Sequence, residues 1–203
     1  MRKLIRKLSD MRGISGFEYR LTDQIADMFK KYCDDVKIDS LGSVIAVKRS
    51  NKPNAPKLMI EAHCDEIGLI VTSITDEGYL TFANVGGVDE RTLPSTEVTV
   101  HGKEDLWGVI GIKPNYLLEQ GKTAKLKELA VDTGLSAEKV KELAAVGDSI
   151  TLAQSVGRLG KKQFSGKSLD DRASVAAIMR VMKNIKDLDI DIDVYAVAAV
   201  QEE

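Results

Sequence analysis

The sequence predicts an α/β fold in which one sheet domain, residues 1–67 and 161–203, is interrupted by a small all-β, barrel-like domain over 68–160. Three observations carry this. Apolar residues recur at helical spacing near the start (Leu4, Ile5, Leu8, Met11, then Leu21, Ile25, Met28, Phe29), and strand-like runs follow them. From Gly68 to Gly160 the texture changes to short alternating strands separated by Gly and Pro turns. After residue 163 the first texture returns, as an amphipathic helix and a last apolar strand.

Taken in order, the opening helical stretch breaks at "GISGFE", where Ser15 and Glu18 have the spacing of a capping box for the second helix. "DVKIDSLGSVIAVKR" reads as two strands turning at Leu41-Gly42, and "KLMIEAHCDEIGLIVTSI" as a further strand run. Between them "NKPNAP" has the Pro and Asn content of a hairpin-type loop. In the central part "YLTFANV", "EVTVHG", "WGVIGI" and "SITLAQSV" are the strands, and "SAEKVKELAAV" is a short helix with Ser136 as its N-cap. "DDRASVAAIMRVMKNIKD" then places Val175, Ile178, Met179, Val181 and Met182 on one helical face. "IDIDVYAVAAV" is the kind of apolar strand found in a parallel or mixed sheet covered on both faces.

With 203 residues, 43% of them hydrophobic, the chain is long enough to bury a real core. A net charge of −2, with basic and acidic residues interspersed, leaves no electrostatic footprint for nucleic acid. No stretch approaches the ~18 apolar residues of a membrane span. The basic start "MRKLIRKLSDMRG" lacks the apolar core of a secretory signal. Two cysteines, Cys33 and Cys64, make no disulfide framework. These features point to a cytoplasmic protein that does not engage membranes.

Three short stretches could carry chemistry. In "EAHCDEIG", His63 and Asp65 lie two apart on a predicted strand and so share a face, while Cys64 points into the core. An imidazole beside a carboxylate suits metal binding, although an exposed polar strand end fits the same residues. In "GKSLDDRAS", Asp170 and Asp171 stand where a loop enters a helix, a place for an N-cap as well as for a carboxylate bridging two cations. The chain closes on "AVQEE", where Glu202 and Glu203 follow a core strand directly. Neighbours on a strand face opposite ways, which argues against a glycosidase pair facing each other at ~5–9.5 Å. One Glu ligating a metal and the other acting as a base at the strand end remains compatible, because ligand sites in α/β sheets gather at the carboxyl ends of strands.

The order H-x-D, inserted β domain, L-D-D-R, helix, Q-E-E resembles the tetrahedral aminopeptidase family of dinuclear metallopeptidases, members of which also carry the labels glutamyl aminopeptidase, cellulase M and endoglucanase. The likeness runs through "GISGFE", "EAHCDEIG", "VGGVDERTLP", "VTVHG", "GVIGIKP", "GDSI" and "GKSLDDRAS". It implies an aminopeptidase-type α/β/α sheet domain and two divalent metal ions, zinc or cobalt. His63 would bind one ion, Asp170 would bridge both, and Glu203 would ligate the other. Glu202 would be the general base or acid for the attacking water, and Asp65 would orient His63. The Asp170–Asp171 peptide would be cis. Peptides would be the substrates, with one N-terminal residue removed at a time, and copies of the chain would associate through the inserted domain.

Two departures stand out. Family members continue past Q-E-E, and that part supplies a further carboxylate and a histidine to the metals, so the implied site is incomplete in this chain. Relatives also carry a histidine near Asn115 in "GIKPNYLL". The second histidine, His101, reads as a solvent-facing strand position. The expectation is therefore a metalloaminopeptidase portion with little activity of its own. A carbohydrate-active hydrolase and a non-catalytic oligomerising fragment are the alternatives.

Overall fold

A computed structural model describes residues 1–112 and 124–203. The expectation about "GIKPNYLL" lies outside the described residues, apart from its first two positions. The chain divides into two compact units, Met1–Glu66 with Ser155–Glu203, and Ile67–Gln154. The return boundary falls at 154/155, earlier than the 160/161 read from sequence. The cause is a hairpin of β10 (Gly157–Leu159) and β11 (Gln163–Ser165), whose Phe164 packs on the core of the first unit.

The first unit holds helices α1 (Arg2–Ser9), α2 (Tyr19–Phe29) and α4 (Leu169–Ile185), with a four-stranded sheet in the order β1-β2-β12-β3. Its strands are β1 (Asp35–Ile38), β2 (Val44–Lys48), β3 (Lys57–His63) and β12 (Asp193–Ala199). β12 pairs antiparallel with β2 and parallel with β3, so the last strand of the chain is inserted between two early ones. "NKPNAP" is consequently not a hairpin loop: the strands it joins are separated by β12 and exchange no ladder bonds.

Leu8, Phe29 and Met179 from the three helices meet Ala46, Ala62 and Ala196 from the sheet in one core. Small residues on the strands let the helices approach closely. The residues alternating with these on β12 (Tyr195, Val197, Ala199) are only half-buried. Among the described residues the sheet is thus covered on one face, where the sequence suggested two. The capping box is also absent: Glu18 itself occupies the N-cap of α2, makes no side-chain cap bond, and directs its carboxylate elsewhere.

The second unit is a closed barrel of six strands in the order β4-β5-β8-β7-β6-β9. They are β4 (Gly68–Ile74), β5 (Leu80–Val85), β6 (Glu97–His101), β7 (Asp105–Ile112), β8 (Leu129–Asp132) and β9 (Ser149–Leu152). Alternation along β6 buries Val98 and Val100, and along β7 Leu106 and Ile110, which fill the interior. Helix α3 (Ala137–Leu143) starts at Ser136, whose Oγ accepts the Lys139 N–H at 3.4 Å. His101 is not solvent-facing as expected. Its side chain is 10% exposed, with Nδ1 2.9 Å from Asp105 Oδ1 and Nε2 2.9 Å from Thr151 Oγ1, because β6 lies between β7 and β9.

Candidate metal centre

Parallel pairing of β12 with β3 puts Ala199 opposite His63, so both strands end at the same edge of the sheet. The chain leaving β3 (Cys64, Asp65) therefore runs beside the chain leaving β12 (Gln201, Glu202, Glu203), joined by a bond from Cys64 N–H to the Ala199 carbonyl at 2.8 Å. This is the carboxyl edge, where α/β sheets place their ligands. Asp170 arrives from the start of α4. Asp170 and Asp171 have non-helical backbone angles, so the helix proper begins after them; the peptide between the two is cis.

Four of the five residues singled out from sequence meet as side chains around His63. Its Nε2 lies 3.4 Å from Asp170 Oδ1 and 3.8 Å from Glu202 Oε2, and its Nδ1 lies 3.5 Å from Asp65 Oδ1. Donor atoms of His63, Glu202 and Glu203 all fall within 4.8 Å of one another. His63 is nearly buried, while the Asp170 carboxylate is open to solvent. Glu202 was expected as the base alone; here it shares the metal-sized cluster with Glu203.

Asp65 does more than face the imidazole. It is fully buried, and its carboxylate accepts backbone N–H bonds from Glu202 at 3.2 Å and Glu203 at 3.0 Å. The facing Nδ1 is buried and has no hydrogen bond, with Asp65 Oδ1 standing 3.5 Å away. Glu203 sits where burial pushes its carboxyl above the ordinary value; Asp65, Glu202 and Asp170 add repulsion and His63 opposes it. Several carboxylates crowd one imidazole, an excess of negative charge that a divalent cation would neutralise. Nitrogen and oxygen donors of this kind suit zinc or cobalt, so the residues fit the implied metals.

Behind the cluster lies a buried ionic hub that sequence reading missed. Arg172, fully buried, donates from Nε to the Cys64 carbonyl at 2.7 Å, from Nη1 to the carbonyls of Leu8 and Met11, and from Nη2 to the Gly13 carbonyl at 3.2 Å and Glu66 Oε1 at 3.3 Å. Lys167 Nζ bonds both Glu66 oxygens, at 2.8 and 2.6 Å, and the Met11 carbonyl at 3.0 Å. Burial pushes the Lys167 ammonium below its ordinary value, and Glu66 pulls it back. The hub thereby ties the loop after α1, the segment after β3 and the entrance of α4 together.

Two non-glycine residues flanking the cluster have left-handed backbones, Ser168 (φ 54°) and Gln201 (φ 59°). Such conformers cost on the order of 1–3 kcal/mol each and persist only where the surroundings hold them. Each is anchored to a buried acid: Ser168 Oγ donates to Glu66 and Gln201 N–H to Glu18. The signal in the sequence is the clustering of charged residues in "GKSLDDR" and "CDE".

The family model for M42 glutamyl aminopeptidases matches residues 42–203. The lysyl aminopeptidase of Pyrococcus furiosus is 35% identical over 99% of this chain and 59% of its own length. The TET1 peptidase of Pyrococcus horikoshii, described as assembling into a tetrahedron or a large octahedral shell, is 34% identical with a TM-score of 0.88, over 99% of this chain and 61% of that one. A structure from Thermotoga maritima described as an endoglucanase is 33% identical with a TM-score of 0.83, over 98% and 59%. The chain thus spans about three-fifths of the length of these relatives. The chain belongs to the M42 glutamyl aminopeptidase family.

Proposed function

We propose that these residues form part of a metal-dependent aminopeptidase that removes N-terminal residues from peptides. The observation that carries the reading is the convergence of His63, Asp170, Glu202 and Glu203 at one sheet edge, with His63 Nε2 3.4 Å from Asp170. His63 would hold one ion, Asp170 would bridge to a second, and Glu203 would hold that second ion. When bound, two divalent ions polarise the scissile carbonyl and lower the pKa of the attacking water. Glu202, whose side chain is 61% exposed, is free to take the proton from that water and deliver it to the leaving amine. Asp65 keeps Glu202 and Glu203 in place through their backbones.

On this assignment each ion has two protein ligands among the described residues, one fewer than a hydrolytic zinc site keeps. The 203-residue chain by itself should therefore load metal weakly and turn over slowly, whereas a form with the full length of its relatives should be active. Copies of the chain would associate through the barrel unit, as suggested by the multimeric TET1 peptidase. No described helix is long and apolar enough to cross a membrane. The test is hydrolysis of aminoacyl-p-nitroanilides with added zinc or cobalt, comparing the longer form with its Glu202→Gln variant. Activity lost in that variant supports the reading; cellulose hydrolysis without peptide hydrolysis would replace it with the endoglucanase reading.

A further inference from the structure

We infer that Glu18 is a positioning residue for the metal cluster, acting through the backbone of Gln201. The inference deepens the proposed metal site and rests on that reading. Glu18 is 5% exposed, so its charge demands partners. No ion pair supplies them among the described contacts. Its Oε1 instead accepts the N–H of Gly16 at 2.9 Å and the N–H of Gln201 at 3.0 Å, a bond between residues 183 apart in sequence.

The consequence is visible along the strand exit. Gln201, Glu202 and Glu203 present three successive N–H groups, and buried carboxylates take all of them: Glu18 the first, Asp65 the second and third. Gln201 has a left-handed backbone (φ 59°) without being glycine, so the chain turns here against its own preference. That turn redirects the segment after β12, and Glu202 and Glu203 then aim at His63 within 4.8 Å. An extended Gln201 would put successive side chains on opposite faces. Glu18 touches no reacting group; it fixes the bend that lets two adjacent acids share one cluster.

Three variants test this: Glu18→Ala, Glu18→Gln, and Leu21→Ala as a control in which the same helix loses a fully buried side chain. Zinc affinity is measured by competition with a chromophoric indicator, and ligand geometry by the visible spectrum of the cobalt form. Amide exchange at Gln201, Glu202 and Glu203 is followed by NMR. Removing a group that orients metal ligands typically lowers affinity about 10- to 100-fold. Glu18→Ala should show that loss, an altered cobalt spectrum and faster exchange at Gln201. Glu18→Gln keeps an oxygen acceptor and should recover most of the affinity. Leu21→Ala should lose stability and keep both affinity and spectrum. Wild-type affinity and exchange in Glu18→Ala, or an equal affinity loss in Leu21→Ala, would overturn the inference. If the parent chain binds neither metal, the metal reading fails by itself, and the exchange at Gln201 still decides whether Glu18 holds the bend.

Discussion

Asp65 Oδ2 accepts the backbone N–H of Glu203 at 3.0 Å, joining residues 138 apart in sequence. The same carboxylate holds Glu202 and faces His63, so one buried acid links the two strand ends that carry the cluster. Replacing Asp65 with Ala leaves two N–H groups without acceptors. A buried donor left unpaired costs about 1–3 kcal/mol. These two donors are only part-buried, so urea unfolding should show a loss toward the lower end of that range for Asp65→Ala and a smaller one for Asp65→Asn, which keeps an acceptor.

Arg172 should be intolerant of substitution. Its guanidinium donates to five main-chain carbonyls (Cys64, Leu8, Ser9, Met11 and Gly13) and to Glu66. Removing one partner of a buried charge cluster typically costs about 3–5 kcal/mol. Arg172→Met should lose that much in a denaturant titration. Arg172→Lys should recover little, since a point charge cannot reproduce the fork of donors.

The two thiols should be inert at neutral pH. Burial pushes Cys64 up to about 12 and Cys33 up to about 11. Because the thiolate is the reactive form, both remain protonated and slow at pH 8 in the folded chain. Ellman's reagent at pH 8 should report almost no reaction without denaturant and both thiols with it. Rapid reaction of Cys64 in the native chain would contradict its place in the core.

The barrel unit offers a separate check. A Cβ built on Gly102 would come within 2.2 Å of the Leu143 carbonyl oxygen, where the turn after β6 packs on the end of α3. At Gly87 a Cβ would meet nothing within 4 Å. Overpacking costs about 1–3 kcal/mol or more. Gly102→Ala should accordingly lower the melting temperature, and Gly87→Ala should leave it nearly unchanged.

Much of the site was legible because its residues stand in short motifs whose order is specific. His63, Asp170 and Glu203 are named by the family resemblance those motifs carry, and the structure brings their side chains to one sheet edge. The bonds of Asp65 to the Glu202 and Glu203 backbones and of Glu18 to Gln201 were not legible, since they depend on β12 inserting beside β3, a pairing between distant parts of the chain. Local spacing even misled: Ser15 and Glu18 match a capping box, but Glu18 is committed to Gln201. Strands β8, β10 and β11 are three or four residues long, too short for a periodic signal. His101 looked exposed because its partners Asp105 and Thr151 lie on neighbouring strands.

His63, Asp170 and Glu203 should hold divalent ions. Calorimetric titration of zinc into the chain, beside its His63→Ala, Asp170→Ala and Glu203→Ala variants, tests it most directly. The parent chain should bind measurably and each substitution should weaken that binding by tenfold or more, about 1.4 kcal/mol, with Asp170→Ala the most severe because Asp170 would serve both ions. Binding by all three variants at the parent's affinity would contradict it.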